Sequence, residues 1–275
     1  MQWLSGMQIH RKPEGMKESI KNKAGYIKKA IIVISLILAL LVVAVLVKSC
    51  ITYYRHEKSA GVQFLQDEPS KSIVETDPLS IPAYSGKDVI ELKGNIPCFT
   101  IYDMDHIEGE SFSELDSLGR CGTAYAKIDK SMMPTEKRGE IGSIKPTGWK
   151  QAKYPGIVDA QPPYLYNRSH LIAYAMTGQN ANEKNLITGT RYFNAELMLT
   201  YEHQVLHYLD YSDNHVLYRV TPYFKDNELL ARGVEMEAYS IEDNGKGVCF
   251  HVFCYNVQPG IEIDYMTGEN RADEQ

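Results

Sequence analysis

Three polar clusters, lying close together in the chain, have the residue types needed to hydrolyse a phosphodiester. They are Asn167-Arg168-Ser169-His170, the run Asn185 to Asn194 with Arg191 inside it, and Glu202. The reaction needs a base to deprotonate water, positive charge on the phosphoryl oxygens, and stabilisation of the departing oxygen. His170 suits the first task because imidazole titrates near neutral pH. Asn194 suits the second, since its amide oxygen is a hard ligand for Mg²⁺, an ion that keeps several waters and takes few protein ligands. Glu202 is placed to hold a metal-bound water through a second contact layer, and Arg168 to pair with a phosphate.

These residues need elements to hold them. Leu197, Tyr201, Val205 and Leu209 recur every four residues, which predicts a helix from about Asn194 to Tyr208 with one apolar stripe. At about 100° per residue, Asn194 falls near the middle of that stripe and Glu202 at its edge. An Asn aimed into a core needs a partner, which a metal or a backbone group would supply. A strand is expected to lead into Asn167-Arg168.

In this stretch the sequence resembles the DNA/RNA non-specific endonucleases of the ββα-metal (His-Me finger) class, especially the membrane-anchored and secreted nucleases of Gram-positive bacteria. The family's Asp-Arg-Gly-His motif corresponds to Asn167-Arg168-Ser169-His170, with two of four positions changed. The resemblance runs from roughly residue 81 to 268. It includes Pro146-Thr147-Gly148-Trp149, Asn185-Leu186-Ile187, Tyr218 to Pro222, Asn256 to Gly260 and Asp264 to Gly268. It implies that His170 is the general base, Arg168 its catalytic neighbour, Asn194 the metal ligand and Glu202 the carboxylate beyond it. It further implies Mg²⁺, with Mn²⁺ as a substitute, nucleic acid as substrate (DNA and also RNA), and 5′-phosphate products. Arg191, Arg219 and Arg232 are candidate substrate-binding residues. Ser169 in place of Gly is harmless if the backbone there has negative φ, and Asn167 in place of Asp removes a charge beside the base. Two other classes stay open: a surface receptor that binds nucleic acid without cutting it, and a nuclease toxin with its own immunity protein.

Ahead of this region lies a basic segment, 1–29, and then an apolar run from Ala30 to Val47 in which Ser35 is the only polar residue. The run is just long enough to span a bilayer. Seven Lys/Arg precede it and three follow before residue 60, so the N-terminus is expected in the cytoplasm and the catalytic domain outside. A cleaved signal peptide fits less well, because its apolar core is shorter and needs a small-x-small site. Residues 48–82 are polar with three prolines and read as a tether. Residues 83–275 are the right length for one domain.

In that domain, strands are expected at Asp88–Leu92, Gly122–Asp129, His215–Val220, Ala231–Ser240 and Val248–Val257. Asp243-Asn244-Gly245-Lys246-Gly247 marks a hairpin between the last two. Residues 130–160 hold several Gly and Pro and read as a long functional loop. The mixture predicts an α+β fold, and the resemblance implies a central antiparallel sheet with a ββα-metal unit on one side.

Charge runs against a nucleic-acid binder. Residues 1–58 carry ten Lys/Arg against three Asp/Glu, so the rest of a chain of net charge −6 carries −13. A basic footprint is usual for tight binding, so an acidic domain is expected to bind weakly and turn over, using a locally positive cleft. None of the five cysteines, Cys50, Cys98, Cys121, Cys249 and Cys254, has zinc-site spacing. Cys98 with Cys121 is the candidate disulfide, and Cys249 and Cys254 face opposite sides of one strand.

Overall fold

A computed structural model describes residues 81–274 together with the isolated positions Ile34 and Lys48. The expected membrane span at 30–47 and nearly all of the tether lie outside the described residues. No helix among those described is long and apolar enough to cross a membrane. Everything below belongs to the second of the chain's two compact units, Gly61–Gln275.

The sequence alternation matures into strands largely where it predicts them: β1 (Val89–Glu91), β3 (Ala124–Ile128), β6 (Val216–Tyr223), β7 (Gly233–Ser240) and β8 (Cys249–Tyr255). With β2 (Gly109–Phe112) they form a six-stranded sheet of order β1-β8-β7-β6-β3-β2, antiparallel at every pairing. This is the central antiparallel sheet of the expected α+β fold. The β7–β8 hairpin turns through Asn244 and Gly245, at φ 58° and 76°, a conformation that Asn and Gly tolerate best.

One face of the sheet is covered by the helix that supplies the candidate site. It begins as a π-helical turn at Phe193–Met198 and continues as an α-helix, Leu199–Tyr211. Leu197, Val205 and Leu209 pack with Val216, Tyr218 and Val220 of β6 and with Phe250 and Val252 of β8 in the main core. Phe193 is fully buried there, which contributes about 1.5–3 kcal/mol. The same core takes in the second layer of the site, a two-stranded antiparallel ribbon of β4 (Tyr166–His170) and β5 (Leu186–Thr190), through Ile187 and the following Leu171 and Ile172.

A smaller core of Val158, Leu165, Tyr166, Leu230 and Ile261 seats the long loop against the C-terminal ribbon of β9 (Ile261–Ile263) and β10 (Asn270–Ala272). Gly148 and Gly268 meet there backbone to backbone: a Cβ on Gly268 would stand 1.9 Å from the Gly148 oxygen. That close approach accounts for the two glycines in separate motifs.

Periodicity misses the short helix Ile101–His106, which is amphipathic over only six residues and buries no side chain of its own. It is nonetheless closed by a capping box of Thr100 and Asp103. The Cys98–Cys121 disulfide is not formed: Cys98, Cys121, Cys249 and Cys254 are all free. Cys121 sits in the main core and donates to the carbonyls of Glu183 and Leu186, whereas Cys98 lies beside His251.

Candidate active site

Buried amides hold the ribbon in place. Asn185 brackets Ile172, its Oδ1 accepting from the Ile172 N–H at 2.8 Å and its Nδ2 donating to the Ile172 carbonyl at 3.0 Å. Asn256 accepts from Thr190 N–H and donates to the carbonyls of Thr188 and Ala231, tying β5 to the end of β7. Each buried amide is therefore satisfied, as burial requires. The helix start is held from the same place, because Gln258 accepts from Tyr192 N–H and Thr190 Oγ1 from Phe193 N–H.

The π turn then decides where Asn194 points. A straight α-helix would place Asn194 near the middle of the apolar stripe. The wider turn puts Phe193, Leu197 and Met198 in the core and leaves Asn194 half-exposed, so the expectation of an Asn aimed into the core is corrected. Such one-turn π segments recur at functional sites. Asn194 lines a cleft of about 610 Å³ together with Asn167, Arg168, Arg191, Arg138 and Trp149. Its amide has no hydrogen-bond partner among the described residues, which leaves the oxygen available to a hard cation with water-filled coordination positions.

Three arginines give the cleft its charge. Arg191 and Arg138 have no carboxylate partner among the described residues. Arg168 is committed to architecture: its Nε and Nη2 donate to the carbonyls of Ile144 and Gly142, and its guanidinium stacks 4.3 Å above the Trp149 ring. It thereby clamps the 142–149 loop onto β4 while lining the cleft. Net charge had argued for a locally positive cleft within an acidic domain, and these three side chains supply one.

His170 lies at the far end of β4, only 7 % exposed, and does not itself line the cleft. Its Nε2 donates to the Asn180 carbonyl at 2.9 Å, which leaves Nδ1 as the lone-pair nitrogen. The Arg138 guanidinium, a lining group of the cleft, donates to that Nδ1 at 3.3 Å. Burial above all, with the Arg138 charge adding to it, pushes the His170 pKa down to about 4. The imidazole is thus neutral, with its proton-accepting nitrogen turned toward the cleft's own arginine. Arg138 is the site residue that motif reading missed. Its only signal was its position in the long Gly- and Pro-containing loop.

Ser169, the departure from the usual Gly, has negative φ and points inward, fully buried, against Gly189. A Cβ on Gly189 would stand 2.2 Å from Ser169 Oγ, so the hydroxyl occupies room that a glycine on the partner strand leaves open. Asn167 pairs across the ribbon with that same Gly189 and faces the cleft.

The other residues expected at the site are not among those that line the cleft. Glu202 is on the sheet side of the helix, 8 % exposed, among core residues, and burial pushes its pKa up to about 7. Arg219 does not reach the cleft. It is 3 % exposed on the opposite face of the sheet, where it pairs with Glu237 and lies 5.0 Å from the Phe99 ring centroid. Arg232 is likewise absent from the cleft lining, paired through two nitrogens with Glu228 and stacked 4.2 Å from Tyr265. Arg219 sits on a strand whose outer face is covered by the distant segment at Cys98–Phe99, which local spacing does not reveal.

Known proteins that this chain resembles are nucleases. The family model of the DNA/RNA non-specific endonucleases matches residues 100–242. NucA from Streptococcus agalactiae, solved with a magnesium ion bound, is similar at 25% identity and a TM-score of 0.59, over 67% of this chain and 88% of that one. The structure of Sda1 nuclease with a bound zinc ion is similar at 27% identity and a TM-score of 0.51, over 61% of this chain and 83% of that one.

Proposed function

The chain belongs to the DNA/RNA non-specific endonuclease family, and from that premise we propose that it cleaves DNA, and RNA as well, at one Mg²⁺-dependent site that leaves 5′-phosphate ends. The observation that carries this reading is the cleft itself, where Asn194 with a free amide oxygen stands among Arg138, Arg168 and Arg191. Arg138 also touches the proton-accepting nitrogen of His170.

Asn194 would hold the ion, which when bound neutralises charge on the phosphoryl oxygens and the leaving 3′ oxygen. Mn²⁺ has the same ligand preferences and would substitute. The protein's part follows from the geometry. Arg138 and Arg191 attract the phosphate and fix it in the cleft. The Asn180 carbonyl holds His170 in the tautomer whose Nδ1 can take a proton from the attacking water. A phosphate arriving beside Arg138 offsets the charge that helps depress His170, so substrate raises the basicity of the imidazole as the reaction begins. Arg168 acts by keeping the 142–149 loop in position. Trp149, pinned under Arg168 at the cleft wall, gives bases a flat apolar surface that reads no sequence.

We place the enzyme at the cell membrane on a single N-terminal helix, with the catalytic domain outside. The apolar run at 30–47 and its basic flank support this.

Nicking of supercoiled plasmid by the full-length protein tests the whole proposal. Cutting is expected in Mg²⁺, absent in EDTA and lost in His170→Ala. If the folded wild type cuts in neither Mg²⁺ nor Mn²⁺, the enzyme reading falls. If cutting survives His170→Ala, the base has been misassigned.

A further inference from the structure

The sheet face turned away from the long helix carries a second group of reactive side chains. Strand alternation sends Tyr218, Met236, Ala238, Phe250 and Val252 to the helix side. Arg219, Glu235, Glu237 and His251 therefore face the other way. Register makes Arg219, Glu237 and His251 direct neighbours across β6, β7 and β8. The chain between β1 and the first helix covers them. Leu92 N–H donates to the His251 carbonyl, Asn95 Oδ1 accepts from His251 N–H, and Cys98 N–H donates to Glu237 Oε1 at 2.6 Å. This covering loop holds Lys93, Gly94 and Asn95 in succession at positive φ, a conformation that persists in non-glycine residues only where the surroundings over-determine it.

Under that loop three donor atoms of different chemistry converge. His251 Nδ1 lies 3.9 Å from Cys98 Sγ and 3.7 Å from Glu237 Oε1, and one donor atom from each residue falls within 4.8 Å of the others. In a tetrahedral zinc site, with S at about 2.3 Å and N and O at about 2.0–2.2 Å from the ion, ligand atoms stand roughly 3.3–3.7 Å apart. The two sides at His251 Nδ1, 3.9 and 3.7 Å, are at or close to that spacing. We propose that Cys98, His251 and Glu237 form a second metal site, for a borderline-soft divalent cation with zinc the best fit.

The surrounding groups suit that role. Glu235 accepts from His251 Nε2, the carboxylate–histidine arrangement that orients an imidazole toward a metal. Arg219 holds the other oxygen of Glu237 at 2.6 Å, leaving Oε1 toward the cluster. The Ile96 carbonyl accepts from His251 Nδ1 at 2.8 Å, a hydrogen bond that a metal on this nitrogen would replace. Lys93 Nζ, 3.1 Å from Cys98 Sγ, is a flexible cation that gives way when a metal takes the sulfur. Thiolate and imidazole together select zinc-like ions over Mg²⁺. The site lies on the far face of the sheet from Asn194, so its occupancy and that of the cleft are separable. A bound ion would fasten the 92–98 segment to β7 and β8.

Cobalt replaces zinc in such sites and gives a thiolate-to-metal charge-transfer band in the near ultraviolet. Titrating the reduced, metal-free full-length protein with Co²⁺ is expected to raise this band to one equivalent. The band should persist in Asn194→Ala, vanish in Cys98→Ser, and be displaced by Zn²⁺. No band in the wild type, or one unchanged in Cys98→Ser, overturns the proposal. A measurement on the wild type alone guards against a variant that fails to fold: Zn²⁺ should slow iodoacetamide labelling of Cys98, read by peptide mass spectrometry, at least tenfold. Labelling at the same rate with and without Zn²⁺ overturns the proposal equally.

Discussion

Glu202 shows how much a single side chain's role depends on which way its helix is turned. Two turns after Asn194, it looks in sequence like a partner of the metal. The structure buries it on the sheet side of the helix near Tyr218 and Cys254, with no hydrogen-bond partner among the described residues. A buried carboxyl whose folded pKa is raised to about 7 from 4.5 costs stability when it ionises. The penalty is absent below the unfolded pKa, grows as pH rises from 4.5 to 7, and reaches about 3 kcal/mol above that. Glu202→Gln is therefore expected to be more stable than the wild type at pH 8 and close to it at pH 5 in urea unfolding, with plasmid cutting within a few-fold of the wild type. A loss of more than tenfold in cutting would instead put the carboxylate back at the metal. Arg168 teaches a related lesson, since a residue beside the base spends two of its nitrogens on loop carbonyls.

Among the elements, the ribbon and the π turn carry the site. The ribbon works only if Ser169 and Gly189 are read together. Alone, Ser169 is a departure from the family pattern; opposite Gly189, it fills space that a side chain on the partner strand would need. Gly189→Ala is expected to cost about 1–3 kcal/mol by overpacking Ser169 and Phe193. Adding Ser169→Gly should recover part of that loss, because it removes the closest contact and also a buried hydroxyl with no partner. A double-mutant cycle in urea checks this, and strictly additive losses would mean that the two residues do not meet. The π turn is a second case. The four-residue stripe correctly located the helix from Asn194 onward. The direction of its first turn was set by anchors from β5 and from the segment after β8, which periodicity does not contain.

The whole molecule must bind a polyanion with a domain that is itself acidic. Its solution is local: Arg138, Arg168 and Arg191 line one cleft, while Arg219 and Arg232 are neutralised by Glu237 and Glu228. Binding of non-cleavable complex, measured with His170→Ala and duplex DNA, should therefore weaken with salt along a shallow log–log slope of about −3, for roughly three neutralised phosphates. A slope twice as steep would reveal a broader basic footprint than the cleft supplies.

What the sequence determined by itself is what is encoded by near neighbours. Alternation located β1, β3, β6, β7 and β8, turn chemistry located the β7–β8 hairpin, and Asn167, Arg168 and Asn194, singled out in the sequence, line one cleft. Tertiary structure decided what depends on meetings between distant segments. It brought Arg138 from a featureless loop to His170, buried Arg219 against Glu237 and paired Arg232 with Glu228, left Cys98 and Cys121 apart, and set Cys98 against His251 and Glu237, more than 130 positions away. The physical reason is that propensity and periodicity act within a turn or a strand, whereas the partner of a side chain is chosen by strand register and by which segment covers each face of the sheet.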